Sequence, residues 1–368
     1  MFLFKEKRKL NKIKVQFYRN SISSEEMKTT TKERKKQLVQ LSEDIVKRII
    51  KNWIRILNIK LGWIDDFDKM VVKYTKYFQL SNILEGHSAV INSVKFSLDD
   101  HKIVSTSSDD TVRIWDVISG KQIKILEGHS NLVYAAVFSP NGYNVLSCSS
   151  DRTIRLWDIK LGTILKTLEN HTNSVWDINF SSDGTYVISG SFDNTIRLWD
   201  INSGQEIKRL IGHSGGVRNV QFSPDCKLIV SSSSDTTICL WDIKLGKILK
   251  QFKGHSDYVM HAKFSPDGKY IVSCSLDKTI RIWDIFTGKE IKLLQGHSRG
   301  VRDVQYFPDG QTILSCSNDC TIRLWNVRSG TEIQRLEGHS DLVTGIDISS
   351  DGNTIVSSSN DFTIRIWE

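Results

Sequence analysis

Histidines fall at His87, His129, His171, His213, His255, His297 and His339, each 42 residues after the last. Tryptophans keep the same step at Trp115, Trp157, Trp199, Trp241, Trp283, Trp325 and Trp367. Aspartates form a third column at Asp109, Asp151, Asp193, Asp235, Asp277, Asp319 and Asp361. Seven repeats of 42 residues fill Thr75 to Glu368, 294 residues in all, with no insertion or deletion. The four prolines, Pro140, Pro224, Pro266 and Pro308, share one further column. A fixed period of this length marks a chain built from copies of one supersecondary unit, each burying its apolar face against the next.

The unit reads as β structure. In the second repeat Val133 to Phe138 is apolar and rich in β-branched and aromatic residues, and Pro140-Asn141-Gly142 is a turn signal. Asn144 to Ser149 and Thr153 to Trp157 are two more such runs, with Asp151 in the tight turn between them. Lys160-Leu161-Gly162 then turns the chain into Thr163 to Leu168. Four short antiparallel strands per repeat follow from this alternation of β-formers and turn residues. A helical solenoid is excluded, because no 3.6-residue periodicity runs through the repeats.

Gly86-His87 paired with Trp115-Asp116, Gly128-His129 with Trp157-Asp158, and their equivalents resemble the repeat signature of the WD40 family. The resemblance covers about four-fifths of the chain and implies an all-β, seven-bladed β-propeller. Asn170 replaces the glycine before His171, Asn326 and Glu368 replace the final aspartate, and Cys239 stands where the other repeats carry arginine. The family likeness also implies a role for the columns: a hydrogen-bonded network within each blade, from histidine through serine and aspartate to the indole N–H. Two serine columns qualify, one two residues before each aspartate (Ser107 and its equivalents) and one four before (Ser105 and its equivalents). Seven identical copies argue against catalysis or metal binding, which need different groups converging once. The last repeat stops after its third strand, at Trp367-Glu368, so Phe78 to Leu84 is expected to supply the missing fourth strand and close the ring.

No phosphate-binding glycine loop, nucleophile elbow or paired metal-ligand spacing occurs, so neither an enzyme nor a cofactor or metal site is expected. Cys148, Cys274 and Cys316 share one strand position and read as core packing, while His101 and His261 stand single and unaccompanied. Function is therefore sought in residues that vary within the fixed frame. In WD40 propellers these follow the Gly-His turn or precede the turn aspartate. Five residues after each histidine come Asn92, Tyr134, Trp176, Arg218, Met260, Arg302 and Thr344; three after come Val90, Leu132, Ser174, Gly216, Tyr258, Gly300 and Leu342. Before each aspartate come Ser108, Ser150, Phe192, Ser234, Leu276, Asn318 and Asn360. Tyr134, Trp176, Phe192, Tyr258, Met260 and Leu276 are expected to form an aromatic and apolar arc flanked by Arg218 and Arg302, with Gly216 and Gly300 leaving room for a partner. Aromatic anchors beside arginine are the composition of interface hot spots; the competing reading is that some of them pack on neighbouring blades. A sharper expectation is that Arg218 and Arg302 hold a phosphate or carboxylate.

The formal charge of +8 is unevenly placed. Met1 to Leu80 holds 20 basic against 9 acidic residues, a net of +11, and the remainder holds 30 against 33, a net of −3. Residues 1–31 read as a basic tail without fixed structure. From Lys32, Leu38, Leu41, Ile45, Ile49 and Trp53 form a helical stripe, and Ile64, Phe67, Val71, Tyr74 and Phe78 a second. A helical extension over 32–74 is expected, its second helix running to about residue 79. Ile54 to Gly62 also resembles Ile154 to Gly162, leaving a strand-and-turn fragment as the other reading of that tract. This arm is the place for a helix partner or nucleic acid. Six cysteines without a Cys-x-x-Cys pair, no apolar run long enough for a membrane span, and an N-terminus unlike a secretory signal favour an intracellular protein, cytoplasmic or nuclear. Three functions fit: a scaffold binding a peptide or protein segment on one propeller face; a substrate receptor of a cullin-type ubiquitin ligase; or a ribonucleoprotein component touching RNA through the arm. The second rests on Trp157-Asp158-Ile159-Lys160 and Trp241-Asp242-Ile243-Lys244, which resemble a Trp-Asp-x-Arg adaptor box with lysine for arginine.

Overall fold

The computed structural model describes residues 77–368, and the expectations for the tail and for the arm up to residue 76 lie outside them. Within the described residues twenty-eight strands, β1 (Leu80–Glu85) to β28 (Thr363–Trp367), form seven four-stranded antiparallel sheets. The innermost strands are β2 (Ile91–Phe96), β6 (Val133–Phe138), β10 (Val175–Phe180), β14 (Val217–Phe222), β18 (Val259–Phe264), β22 (Val301–Tyr306) and β26 (Val343–Ile348). Each neighbours the next, and β26 neighbours β2, so the sheets stand as seven blades around a channel. The all-β, seven-bladed propeller is the fold.

Burial explains the sequence pattern within a blade. The second strand is buried on both faces, as in Asn144–Ser149, whereas the outermost, as in Ile164–Glu169, buries one residue near its end. Seven apolar seams lie between blades. In one, Val104, Ile114 and Leu126 of the first blade meet Val133, Phe138 and Trp157 of the second. Each fully buried side chain of this size contributes about 1.5–3 kcal/mol, so every blade depends on both neighbours.

Closure uses both ends of the described chain. Strand β1 pairs with β28, Leu84 opposite Ile364 and Glu85 opposite Thr363. Beyond the strand, Gln79 and Glu368 exchange backbone N–H···O=C bonds of 2.8 and 2.9 Å. Leu84 is buried in the seam between the last and first blades, and Phe78 in the seam before it. The side chain of Gln334 donates to the Phe78 carbonyl at 2.7 Å and accepts from its N–H at 3.1 Å. Tyr77–Gln79, expected as the end of a helix, are not helical, because Phe78 and Gln79 give their backbone groups to Gln334 and Glu368. Among the described residues no helix is long and apolar enough to cross a membrane.

Candidate functional site

The His, Asp and Trp columns meet in each blade through the serine four before the aspartate. Histidine Nδ1 lies 2.7–2.9 Å from the aspartate. Its Nε2 lies 2.7–2.8 Å from that serine (Ser105, Ser147, Ser189, Ser231, Ser273, Ser315 or Ser357). The same hydroxyl accepts the indole N–H at 2.8–2.9 Å. Proton directions follow from donor capacity. A carboxylate only accepts, so Nδ1 carries the hydrogen; neutral Nε2 then accepts from the serine, whose oxygen accepts from tryptophan. Burial holds His87, His171, His297 and His339 below the usual imidazole range, in keeping with the neutral form. Burial opposes ionisation of each aspartate, but hydrogen bonds from its histidine and threonine outweigh it and hold the carboxyl well below the usual range.

This is the order of groups in a serine–histidine–aspartate relay, repeated seven times. The serines are fully buried and the histidine side chains at most 1% exposed, so no substrate carbonyl reaches them. The other serine column does different work: Ser191 accepts the N–H of Asp193 at 3.0 Å and donates to the Ser174 carbonyl at 2.9 Å. In the fourth blade Cys239, pushed up to about 12 by burial, sits 4.0 Å from His213 Nδ1, where five other blades place an arginine within 4.0 Å of the aspartate. The turn that holds each aspartate then passes through a left-handed residue that is never glycine: Asp110, Arg152, Asn194, Thr236, Lys278, Cys320 and Phe362, with φ between 64° and 71°. The carboxylate accepts two bonds from the residue after the left-handed one, as from Thr195 N–H (3.0 Å) and Oγ1–H (2.6 Å) to Asp193, and they hold that conformation against its steric cost.

The varying residues gather at the mouth of the channel formed by the histidine and aspartate turns. The channel has a volume of about 550 Å³, and Tyr134, Trp176, Arg218, Met260 and Arg302 line it. Tyr134 meets Trp176 edge-on at 6.2 Å, and Trp176 packs on Phe192 at 4.9 Å between ring centres. The guanidinium of Arg218 lies 3.6 Å over the Trp176 ring and 5.2 Å from that of Tyr258. Phe192 and Tyr258 are exposed at the rim, 46% and 43%. Met260 and Tyr134 also pack against apolar seams, so each is part packing and part lining. Leu276, at the position equivalent to Phe192, is half-buried and lies against Gly300.

The glycines do not leave room for a partner. A Cβ on Gly216 would lie 2.5 Å from the Phe192 ring, and one on Gly300 would lie 2.7 Å from Leu276. Each glycine makes space for the large residue of the preceding blade. A sequence signal exists for this, since large residues before the aspartate (Phe192, Leu276) are followed by glycine 24 residues on, and serine by serine or larger. Ser150 and Ser174, the corresponding small pair, touch through their hydroxyls at 2.9 Å.

Below the mouth lies a polar ring that the column argument missed. Asp177 accepts from Asn219 Nδ2 at 2.6 Å and from the Val220 N–H at 2.9 Å. Asn219 accepts the Ala262 N–H at 3.1 Å, Asp347 the Phe96 N–H at 2.8 Å, and Asp303 the Ile346 N–H at 3.3 Å. Each innermost strand is a sheet edge, and in β2, β14, β18 and β26 a side chain of the preceding blade accepts a free backbone N–H. His261, read as unaccompanied, has its Nδ1 2.9 Å from the Arg302 carbonyl and 3.0 Å from Asp303. Lys263 joins Asp303 at 2.8 Å. Burial opposes the Asp303 charge, but His261 and Lys263 hold its carboxyl well below the usual range, while burial pushes that of Asp177 up. The signal was polar residues at alternate positions of strands that otherwise read as apolar. Lys160 and Lys244, of the adaptor-box reading, stand exposed at the opposite end of the blades. No cluster of three or more His, Cys, Asp or Glu suited to a metal occurs among the described residues.

A family model described as WD domain, G-beta repeat matches the chain seven times, at residues 78–116, 120–158, 162–200, 204–242, 246–284, 288–326 and 330–368. Comparison with the curated proteins finds no match.

Proposed function

The chain belongs to the WD40 repeat family, and on that premise we propose that its propeller is a non-catalytic scaffold binding a peptide or protein segment across one mouth of its channel. The supporting observation is the continuous contact from Tyr134 through Trp176 and Arg218 to Tyr258, with Phe192 stacked on it. These residues come from four blades and differ from blade to blade, whereas the frame beneath them repeats. Contiguous apolar surface ringed by polar groups is the physical character of an interaction site. Tyr134, Trp176, Phe192, Arg218, Tyr258, Met260, Leu276 and Arg302 are its proposed contacts. A reducing compartment is proposed alongside, since all six cysteines are free thiols and four are buried.

Photo-crosslinking from each end of the blades tests the assignment. A benzophenone amino acid replaces Tyr258 at the mouth or Phe286, 90% exposed in the turn after Trp283-Asp284 at the other end. Full-length protein expressed in cells should yield adducts from position 258 that disappear with Trp176→Ala. Adducts from 286 alone, or adducts at 258 indifferent to Trp176→Ala, would place the binding surface elsewhere.

A further inference from the structure

Among the described residues the two arginines at the mouth have no counter-ion and keep donors unspent, whereas the carboxylates of the channel are engaged. Asp177, Asp303 and Asp347 are engaged by Asn219, Lys263, Lys95 and backbone N–H groups. Arg218 gives Nε–H to Ser234 at 2.8 Å, and Arg302 gives Nε–H to Asn318 at 2.7 Å. The terminal nitrogens of both have no hydrogen-bond partner among the described residues, and no carboxylate there forms an ion pair with either. Both are half-buried.

Stacking decides what the aromatic slot accepts. The face of Trp176, where a cationic guest would sit, is already covered by the Arg218 guanidinium at 3.6 Å, with Tyr258 beyond it. A stacked guanidinium spends its face on the ring and keeps its in-plane N–H groups, the fork that fits a carboxylate with two parallel bonds. Burial, and after it the charge of Arg302, brings the Arg218 pKa down to about 10, so an anion taken by its free fork relieves it.

Resting on the peptide-binding reading of this mouth, we propose that its partner is an acidic peptide segment whose Asp or Glu carboxylates take the free forks of Arg218 and Arg302. An adjacent apolar side chain lies against Tyr134 and Phe192. A lysine- or arginine-bearing segment is rejected, because the protein's own cation holds the aromatic face.

Panning a random 12-residue phage-displayed library on full-length protein tests this, with selected peptides measured by fluorescence anisotropy. Peptides enriched in Asp and Glu are expected, binding at least tenfold more weakly to Arg218→Met/Arg302→Met and weakening as salt is raised from 50 to about 300 mM. Arg218→Lys/Arg302→Lys, which keeps the charge and loses the fork, should fall between; it carries the test with the salt series if the methionine variant fails to fold. Peptides without acidic enrichment that bind the methionine variant as well as wild type, yet lose binding in Trp176→Ala, would overturn the acidic-partner proposal and leave peptide binding standing. Enrichment of no peptide, or of peptides indifferent to Trp176→Ala and to both arginine variants, would overturn the peptide-binding reading itself.

Discussion

Replacing Ser189 by alanine is the sharpest perturbation of the frame. Its hydroxyl is fully buried, donates to His171 Nε2 at 2.7 Å and accepts from Trp199 Nε1–H at 2.9 Å. Removing one oxygen therefore strands two groups that cannot reach water. At about 1–3 kcal/mol for each buried group left unsatisfied, the cost is about 2–6 kcal/mol. For a domain of this size that is a fall of roughly 3–10 °C in melting temperature. Ser191→Ala is the matched control, two residues along the same strand and equally buried. Ser191 accepts only the N–H of Asp193, from a partly buried turn, and donates to the carbonyls of Asn173 and Ser174, the second of which keeps the Phe192 N–H, so about 1–2 kcal/mol is expected there. Asp193→Ala removes the acceptor of His171 Nδ1, of the Thr172 N–H and of Thr195, and should lower the melting temperature without abolishing folding, because six other networks persist. Urea unfolding followed by tryptophan fluorescence and calorimetry measures all three. A Ser189→Ala cost below about 0.5 kcal/mol, or a larger cost for Ser191→Ala, would refute the assignment of Ser189 as the hub.

Stability should fall with pH in two stages. Where burial holds the folded histidines (His87, His171, His297, His339) below the unfolded value of 6.5, the unfolded chain binds protons first, so stability declines as pH drops below about 6.5. The seven network aspartates are depressed below the unfolded value of 3.8, so their contribution is present above it and is lost on further acidification. Asp177 acts in the opposite sense, one group against seven; a urea midpoint unchanged from pH 7 to pH 4 would contradict the scheme. Deleting Thr75–Glu85 should lower the melting temperature of the whole ring in one transition, because Phe78 and Leu84 belong to two different seams and β28 is left as a bare edge. A deletion variant that melts like the intact protein, or loses only the last blade, would refute closure as a cooperative element.

The architecture was legible because every blade must satisfy the same donors and acceptors, so the residues that do so recur at one step. Repetition itself hid the finer assignment. Ser189 and Ser191 occupy columns that are serine in all seven repeats, and only the distances distinguish the hub from the turn brace. At the mouth, reading each column separately placed Trp176, Arg218 and Tyr258 among the candidates but misread Gly216. That residue is small for Phe192 one blade earlier, a relation between columns rather than within one. His261 was missed for a similar reason: its partners, Asp303 and the Arg302 carbonyl, belong to the next blade.

These cross-blade relations also make the mouth lopsided. At the column five after each histidine, Asn92 donates to the Val133 carbonyl at 2.8 Å and Thr344 to the Ile91 carbonyl at 2.5 Å. The seventh and first blades thus turn their polar groups inward onto the seams around the closure. The second to sixth blades instead present Tyr134, Trp176, Arg218, Met260 and Arg302 at that position, and both arginines keep free donors. Hydrogen-bonding capacity left unspent, and aromatic area left exposed, therefore lie on one side of the channel. A segment binding this mouth gains contacts by lying over the second to sixth blades rather than along the axis. An off-centre pose also leaves β1 and the ring closure uncovered, so binding at the mouth and the integrity of the ring are separable by mutation.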